Sequence, residues 1–277
     1  MKTLKILFAV SLLAVFFAFN QQDQVYIPMD KGTEEESTAK LRTINHHAFK
    51  EGEKLEYRIH YGIINAGKAK LEVNKMDKKV AGREVYHMVG TGKSAKAFDW
   101  FFKVRDRYET YMDVEGVFPW LFVRNVNEGG YKIHQTYKFV QNKNKVDNGK
   151  GKTFNIPLGA QDMLSSFYYA RTIDFSAAKK NEIFTIWSFV DDELWPLKIR
   201  YMGRYTIKVS GKKYKALKFH PVVQEGRLFE NEEDVTVWVS DDENKVPLLA
   251  EGKVLVGSIK MELTGYSGLA NPIAKVE

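Results

Sequence analysis

The sequence predicts a mostly β protein, in which a single large antiparallel sheet curves and closes into a barrel or half-barrel with one helix packed against it. Three observations predict this fold. Apolar and polar residues alternate with the period of half-buried strands in roughly a dozen segments. Aromatic side chains are abundant, with 18 Phe, 14 Tyr and 5 Trp among 277 residues. A sheet of that many strands twists too strongly to stay flat, and closure removes its exposed edges.

The first 20 residues have the pattern of a secretory signal peptide. Lys2 and Lys5 form a positive start, residues 6–19 are apolar apart from Ser11, and residues 20–23 are abruptly polar. The apolar run is short for a bilayer-spanning helix, so an uncleaved anchor is the less favoured alternative. We therefore expect an exported protein, periplasmic or associated with the cell envelope, soluble and without an integral membrane span once the signal is removed.

The rest of the chain is predicted to form one β-rich domain, because no alignable repeat or low-complexity linker divides it. We place this domain at residues 46–270. Residues 21–45 are polar and without a clear period, which is typical of an N-terminal arm. Residues 271–277 are expected to be a C-terminal tail.

The first two strands are predicted from residue 55 onward. Leu55, Tyr57 and Ile59 alternate with charged or polar residues, and Gly62 ends the run. A second alternating run follows after Gly67, so the two runs read as a β-hairpin. The same rhythm recurs in residues 85–89, 131–139, 205–209, 217–219, 235–239, 246–256 and 259–263.

Two segments interrupt the strand pattern. Residues 159–172 contain no proline, and Met163, Phe167 and Ala170 recur at helical spacing, with Asp162 in the early turn where the helix dipole favours a negative charge. This is the predicted helix. Residues 94–102 are expected to form a short helical turn. Residues 141–153 are rich in Asn, Lys and Gly, so they are expected to form an exposed hairpin tip or loop.

Several stretches together carry a family resemblance. They are FKEGEKL at residues 49–55, Tyr57, Tyr61-Gly62, Ala66-Gly67, FDWFFKVRDRY at residues 98–108, and WVSD with KVP between residues 238 and 247. In these features the chain resembles a family of exported bacterial proteins known as domain of unknown function number 3108. The resemblance covers residues 49–269 and implies an envelope protein with a β-rich domain and no assigned activity. The hairpin at residues 238–247 is also similar to one in periplasmic lipoprotein carriers, whose curved sheets hold an acyl chain.

The composition excludes several classes of chemistry. The chain has no cysteine, which excludes disulfides, a thiol nucleophile and a lipid-modified N-terminal cysteine, so the protein is not expected to be a lipoprotein. His46 and His47 are adjacent, and adjacent side chains of an extended segment point in opposite directions, which disfavours a shared metal ion. No metalloprotease, serine hydrolase or phosphate-loop motif is present. We therefore expect no catalytic residues, no metal and no cofactor.

Carboxylate clusters are the best candidates for an enzyme. They are Asp191-Asp192-Glu193, Glu230 with Glu232-Glu233-Asp234, and Asp241-Asp242-Glu243. A glycosidase needs two carboxylates that face each other across a cleft, and the spacing shows no such pair. Because Asp and Glu beside strands are common in turns, the sequence favours a structural role for these clusters.

Arg105 and Arg107 are predicted to share one face of a strand, with Asp106 on the other. The favoured interpretation is that ion pairs with neighbouring strands hold them. The functional alternative is a clamp for an anionic head group at the mouth of a cavity. With the aromatic residues around them and in other aromatic clusters, the candidate ligand-binding residues are Trp100, Phe101, Arg105, Arg107, Tyr108, Trp120, Phe167 and Trp187.

The sequence therefore favours a non-enzymatic envelope protein that binds an apolar or amphipathic small molecule, such as an acyl chain, or an envelope protein. The net charge of +7 is spread along the chain, and export makes nucleic acid an unexpected partner. Two alternatives stay open: a carboxylate-dependent enzyme acting on envelope glycans, and a purely structural interaction module without a pocket.

Overall fold

The computed structural model describes residues 40–100, 102–222, 234–253 and 257–276. The predicted signal peptide, the first 19 residues of the predicted arm, Phe101 and the acidic residues Glu230, Glu232 and Glu233 lie outside the described residues.

The described chain contains 15 strands and one α-helix, α1 (Met163–Arg171). The strands are β1 (Lys54–Tyr61), β2 (Ile64–Lys75), β3 (Val85–Ser94), β4 (Arg105–Asp113), β5 (Pro119–Glu128), β6 (Tyr131–Val140), β7 (Lys145–Asp147), β8 (Thr153–Asn155), β9 (Ile183–Val190), β10 (Glu193–Val209), β11 (Lys212–Pro221), β12 (Val235–Ser240), β13 (Pro247–Lys253), β14 (Ser258–Ser267) and β15 (Lys275–Val276).

All the strands belong to one antiparallel sheet, which confirms the predicted fold class. The strand order is β8-β7-β6-β5-β4-β3-β2-β1-β14-β13-β12-β11-β10-β9, with β15 beside β11. The sheet curls without closing through hydrogen bonds, since β8 and β9 end the order. Aromatic side chains join these two ends instead: the ring of Phe189 in β9 lies 5.2 Å from that of Phe154 in β8 and 5.0 Å from that of Tyr137 in β6.

The predicted two-residue rhythm is visible in the burial of each strand. In β1, Leu55 and Tyr57 are buried while Glu56 and Arg58 are exposed, and β2 pairs with β1 as the predicted hairpin. Burial of one face of a long sheet removes a large apolar area from water, which is the main favourable term in folding. The principal core therefore lies inside the curl and includes residues from nearly every strand.

The predicted helix is present and begins at a capping box. The Asp162 carboxylate accepts hydrogen bonds from the backbone N–H groups of Leu164 and Ser165, and the Ser165 hydroxyl accepts one from the N–H of Asp162. This reciprocal arrangement satisfies N–H groups that have no partner inside the helix. The predicted turn at residues 94–102 contains one 3-10 turn, Lys96–Phe98.

Residues 141–153, expected to form an exposed hairpin tip or loop, do include the tip of the β7–β8 hairpin, but part of the segment is buried. The segment contains β7 and the first residue of β8, and Gln141 is fully buried. The Gln141 amide donates hydrogen bonds to the carbonyls of Pro119 and Ala160 and accepts one from the N–H of Gly159. A polar residue satisfied in this way is buried at little cost, and composition alone does not indicate it.

A buried ion pair connects α1 to the start of β1. Both nitrogens of the Arg171 guanidinium fork bind the Glu53 carboxylate, at 2.6 and 2.8 Å, and its Nε donates to the carbonyl of Asn244. Neither side chain is more than 2% exposed. Burial acts to lower the pKa of Arg171, but the adjacent Glu53 outweighs it and the pKa is raised. Arg171 therefore stays charged, and its bidentate contact with Glu53 holds the helix against the sheet.

Candidate functional site

The site with the clearest binding character is an apolar cavity between α1 and strands β9–β13. It measures about 70 Å³, counted as the space open to the centre of a water molecule. One water molecule needs about 10–15 Å³ on that measure, so the space accepts a group several times larger. The cavity is partly open to solvent.

The sheet side of the cavity is built from side chains that are paired across neighbouring strands. The pairs are Ile186 with Leu197, Ile199 with Pro221, Phe219 with Val237, and Val239 with Pro247. Side chains directly opposite each other on adjacent strands lie close together, so these pairs form a continuous apolar floor.

The helix provides the opposite wall. Met163, Phe167 and Ala170 lie at helical spacing and face the cavity together with Ser166. The Ser166 hydroxyl donates to the carbonyl of Asp162 and is also hydrogen-bonded to Ser188. Since this hydroxyl is already satisfied inside the protein, the helix wall presents an apolar surface to an occupant.

Two cationic side chains border the cavity, and they differ in their partners. Arg171 is engaged with Glu53. Lys245 is partly exposed, and among the described residues its ammonium has no ion pair within 4 Å. Burial lowers the pKa of Lys245, against the opposing effect of Asp174 and Asp242. Lys245 thus places a positive charge where the apolar lining meets solvent.

The structure does not bring the predicted ligand-binding residues together at one place. Phe167 lines the cavity. Trp187 is in β9 next to the cavity residue Ile186, but its side chain points to the other face of the strand. Tyr108 lies in the principal core at 3% exposure, and Trp120 packs on Phe118 in a separate small cluster.

Three further predicted residues, all within the described part of the chain, lie in or beside the β3–β4 connection, whereas Phe101 lies outside the described residues. Trp100 is 84% exposed in the loop before β4. Arg105 and Arg107 share the outer face of β4, while Asp106 on the other face is buried. Arg105 binds Asp99 at 2.6 Å and Arg107 binds Glu109 at 2.8 Å. Ion pairs therefore hold both arginines, but the partners lie in the preceding loop and in β4 itself, not on the neighbouring strands that the sequence suggested.

Two of the carboxylates considered for catalysis, Asp191 and Asp192, are held by structural partners. Asp191 and Asp192 form the two-residue turn between β9 and β10, both with positive φ. Asp191 pairs with Arg124 at 2.9 Å, and Asp192 accepts hydrogen bonds from the Tyr137 hydroxyl and the Asn148 amide. This hairpin turn thus joins β9–β10 to β5–β7, consistent with the role of Asp in turns.

Within the described residues there is no cluster of three or more His, Asp and Glu side chains that could hold a metal ion. The rings of His46 and Phe49 are in contact in a tilted arrangement, with centroids 4.6 Å apart. Burial, with Arg171 and His47 nearby, lowers the pKa of His46 to about 4. Across the ranges that the structure covers, no helix combines the length and the apolar character needed to cross a membrane.

Most of the cavity residues were not identified from the sequence. The alternation of apolar and polar residues indicates that Leu197, Phe219 and Val237 point inward from their strands. Every other core position of a strand has the same pattern, so the pattern does not single out the cavity residues. What makes them a site is that a helix of nine residues covers the sheet here without filling the space. That property depends on tertiary packing, for which the sequence carries no local signal.

Comparison with solved structures supports the fold. The chain is similar to the β-barrel-like protein of domain of unknown function DUF1849 from Brucella abortus, with a TM-score of 0.51, 11% identity and coverage of 79% of this chain and 98% of that chain. The hypothetical protein CT021 from Chlamydia trachomatis matches with a TM-score of 0.37 and 6% identity over 82% of this chain and 91% of that one. At these identities the likeness concerns the fold alone, and the match to the Brucella protein supports the curled β-sheet architecture.

Comparison by sequence identifies the family. No curated protein matches the chain at a significant level. The model of the family described as "Protein of unknown function (DUF3108)" matches residues 56–264, which is most of the chain and agrees with the resemblance seen in its motifs. The chain therefore belongs to the DUF3108 family.

Proposed function

We propose that this protein is an exported, non-enzymatic binding protein of the bacterial envelope, and that the cavity between α1 and β9–β13 holds the apolar part of a small amphipathic molecule. The observation that carries the proposal is the composition of the cavity walls: four cross-strand apolar pairs face three apolar helix residues. Sites for small molecules are typically concave and mostly apolar, with few polar groups to orient the ligand.

The position of Lys245 supports an amphipathic ligand with an anionic head. An acyl chain gains about 0.8 kcal/mol for each methylene that it buries. Its carboxylate can then pair with the Lys245 ammonium at the rim while the chain occupies the cavity. A single acyl chain fits the size of this space better than a two-chain lipid does.

Export is part of the proposal because of the N-terminal sequence. Lys2 and Lys5 followed by apolar residues 6–19 form the pattern that export machinery recognises. An exported protein with an apolar cavity meets lipids and other amphipathic molecules of the envelope. The sequence contains no cysteine, which supports an exported protein that is not anchored by a lipid on an N-terminal cysteine.

Binding of a fluorescent fatty acid, 11-(dansylamino)undecanoic acid, tests the cavity. Ala170→Phe fills the space from the helix wall and is expected to weaken binding by at least tenfold. The matched control is Ala177→Phe, at an exposed position beyond the helix, which should bind as the wild type does. Native mass spectrometry and lipid extraction of the protein purified from the envelope should identify a co-purified single-chain amphiphile.

Lys245→Gln tests the head group separately. This variant is expected to bind the dansyl fatty acid about tenfold more weakly and to bind an uncharged chain of the same length as the wild type does. Wild-type affinity in Ala170→Phe would contradict the cavity as the binding site. Failure of the wild type to bind any chain, together with extracts free of amphiphiles, would contradict the proposed function.

A further inference from the structure

The most exposed large hydrophobic side chains of the described residues lie at one end of the sheet. Ile63 is 103% exposed, Trp100 84%, Tyr131 66% and Ile64 47%. Ile63 lies in the turn between β1 and β2, and Ile64 is the first residue of β2. Trp100 lies in the connection between β3 and β4, and Tyr131 is the first residue of β6 after the β5–β6 turn. In an antiparallel sheet these three alternate connections lie at the same end.

Hydrogen bonds join the three connections into one surface. The N–H of Ala95, at the end of β3, donates to the carbonyl of Ala66 near the start of β2 at 2.8 Å. On the other side, the N–H of Gly129 in the β5–β6 turn donates to the carbonyl of Lys103 at 2.8 Å. Gly129 has φ +57, and a Cβ there would lie 2.3 Å from the ring of Phe102, so glycine permits this close approach.

A row of cations lies directly behind these exposed tips. Strand registers place Arg58 opposite Lys68, Lys68 opposite Lys93, and Lys93 opposite Arg105. These positions share the outer face of the sheet, and Lys132 occupies the same end of β6 beside Tyr131.

Only part of this positive charge is neutralised within the protein. Arg58 pairs with Glu262 and Arg105 with Asp99. Where the structure describes the chain, neither Lys68, Lys93 nor Lys132 has a carboxylate within 4 Å, and all three are exposed. The row borders an open groove of about 770 Å³ lined by Lys93, Arg105, Arg107, Asn125, Lys132 and His134.

We propose that this end of the sheet docks on the surface of an anionic lipid bilayer. The docking tip consists of Ile63, Ile64, Trp100 and Tyr131, which enter the interfacial region, and of Lys68, Lys93 and Lys132, which lie at the level of the head groups. Tyr and Trp prefer the membrane interface, and each basic residue near an anionic surface adds attraction.

The combination of apolar tips and unpaired cations favours a bilayer over other partners. A soluble polyanion would be held by the cations and would gain little from the exposed Ile63 and Trp100. A second copy of this chain, paired through the same end, would bring the two lysine rows together, and like charges at an interface repel. An anionic bilayer matches both features, since its interface accepts the apolar side chains and its head groups accept the lysines.

Vesicle co-sedimentation tests this proposal independently of the cavity. We expect the wild-type protein to bind vesicles that contain phosphatidylcholine and phosphatidylglycerol at about 7:3, to bind pure phosphatidylcholine much more weakly, and to lose binding as salt is raised. The N-terminal residue of every preparation is identified by mass spectrometry, so that all variants share the same N-terminus. Quenching by brominated lipid should decrease in Trp100→Phe if Trp100 enters the interface.

Three variants separate the contributions. Ile63→Ser with Trp100→Ser should weaken binding to the anionic vesicles by at least tenfold. Lys68→Gln with Lys93→Gln should weaken it about fivefold per charge without changing the weak binding to phosphatidylcholine. The control, Ile183→Ser with Tyr205→Ser, removes two exposed apolar side chains from β9 and β10, away from this end of the sheet, and should bind as the wild type does.

Several results would overturn the proposal. Unchanged vesicle binding in the Ile63/Trp100 variant, or no binding by the wild type, would do so directly. If the wild type binds heparin tightly but does not bind vesicles, and the Ile63/Trp100 variant still binds heparin, the partner is a soluble polyanion. A dimer in analytical ultracentrifugation that the same variant abolishes would indicate a second copy of the chain.

Discussion

Asp162 combines a structural role with an unusual protonation equilibrium. Its carboxylate caps α1 and also accepts a hydrogen bond from the Thr110 hydroxyl at 2.9 Å. The side chain is fully buried. Burial raises the pKa of Asp162 from its ordinary 3.8 to about 7, although the hydrogen bonds to Ser165, Thr110 and Leu164 oppose this shift.

The raised pKa predicts a pH-dependent stability. Between about pH 4 and about pH 7 the folded protein holds a proton that the unfolded chain releases, so the free energy of unfolding falls as pH rises through this window. The contribution is at most about 4 kcal/mol. Asp162→Asn keeps an oxygen for the cap and should remove this part of the slope in urea unfolding at about pH 5 and pH 8. The exposed control Asp77→Asn should keep it, and an identical slope in Asp162→Asn would contradict the assignment.

At the residue scale, the sequence predicts which way side chains point better than what they contact. The alternation of Arg105, Asp106 and Arg107 correctly placed the two arginines on the face opposite the aspartate, and the structure shows that the arginine face is the outer one. It did not identify Asp99 as the partner of Arg105, because that carboxylate lies in a loop whose path depends on the packing of the whole end of the sheet. The same limit applies to Gln141, whose buried partners are distant in sequence.

Arg42 anchors the segment that precedes β1. Its guanidinium donates to the carbonyls of Gly116 and Val117 at 2.7 and 2.6 Å and lies over the ring of Tyr169. Gly159 has φ +79, and a Cβ there would lie 2.3 Å from the Arg42 guanidinium. The described end of the predicted polar arm is therefore in contact with both the β4–β5 connection and α1.

Arg42→Ala is expected to release this segment. It removes two hydrogen bonds from a charged donor, which lowers the free energy of unfolding by about 2–4 kcal/mol. Limited proteolysis followed by mass spectrometry should reveal new cleavage between residues 40 and 48. Lys40→Ala, at an exposed position, is the control and should be cleaved as the wild type is. Resistance of the Arg42 variant would show that other contacts hold the segment.

At the element scale, long strands and the helix are predictable because their periodicity is local and extends over many residues. The 3-residue strands β7 and β8 were missed, since three residues show at most one full alternation and their composition is typical of loops. β15 is still shorter, and it forms only because residues 275–276 reach β11. Such elements are consequences of tertiary contacts.

The curl of the molecule is held at one seam by aromatic side chains. Phe189 of β9 contacts Tyr137 and Phe139 of β6 and Phe154 of β8, so this ring joins strands from the two ends of the sheet order. Phe189 is 1% exposed. The seam therefore depends on side chains, through this packing and through the polar contacts of Asp191 and Asp192, whereas neighbouring strands elsewhere are joined by backbone hydrogen bonds.

Phe189→Ala is expected to weaken the seam. Loss of a buried phenyl ring lowers the free energy of unfolding by about 3–5 kcal/mol. Hydrogen exchange measured by mass spectrometry should rise most in residues 131–155 and 183–190, and less in β1–β3. Thr185→Ala, at an exposed position of the same strand, should change neither quantity by much. A uniform rise across the sheet would contradict a local seam.

At the scale of the whole molecule, the sequence correctly predicted a curved antiparallel sheet with one helix, because the twist between neighbouring strands accumulates over a sheet of many strands and makes it curl. It did not predict that the ends of the sheet meet through Phe189, or that the helix leaves a cavity beside β9–β13. Both depend on the distance between elements that are far apart in the chain. The proposed binding function therefore comes from the structure more than from any motif.

The segment that leads into α1 also protects one edge of the sheet from pairing with other copies of the protein. Gln161 lies alongside β9 in parallel, with its N–H donating to the carbonyl of Trp187 and its carbonyl accepting from the N–H of Phe189. Those two backbone groups are on the outer side of the last strand of the sheet. A neighbouring molecule that tried to extend the sheet there would find them occupied, so this edge resists runaway polymerisation into fibres.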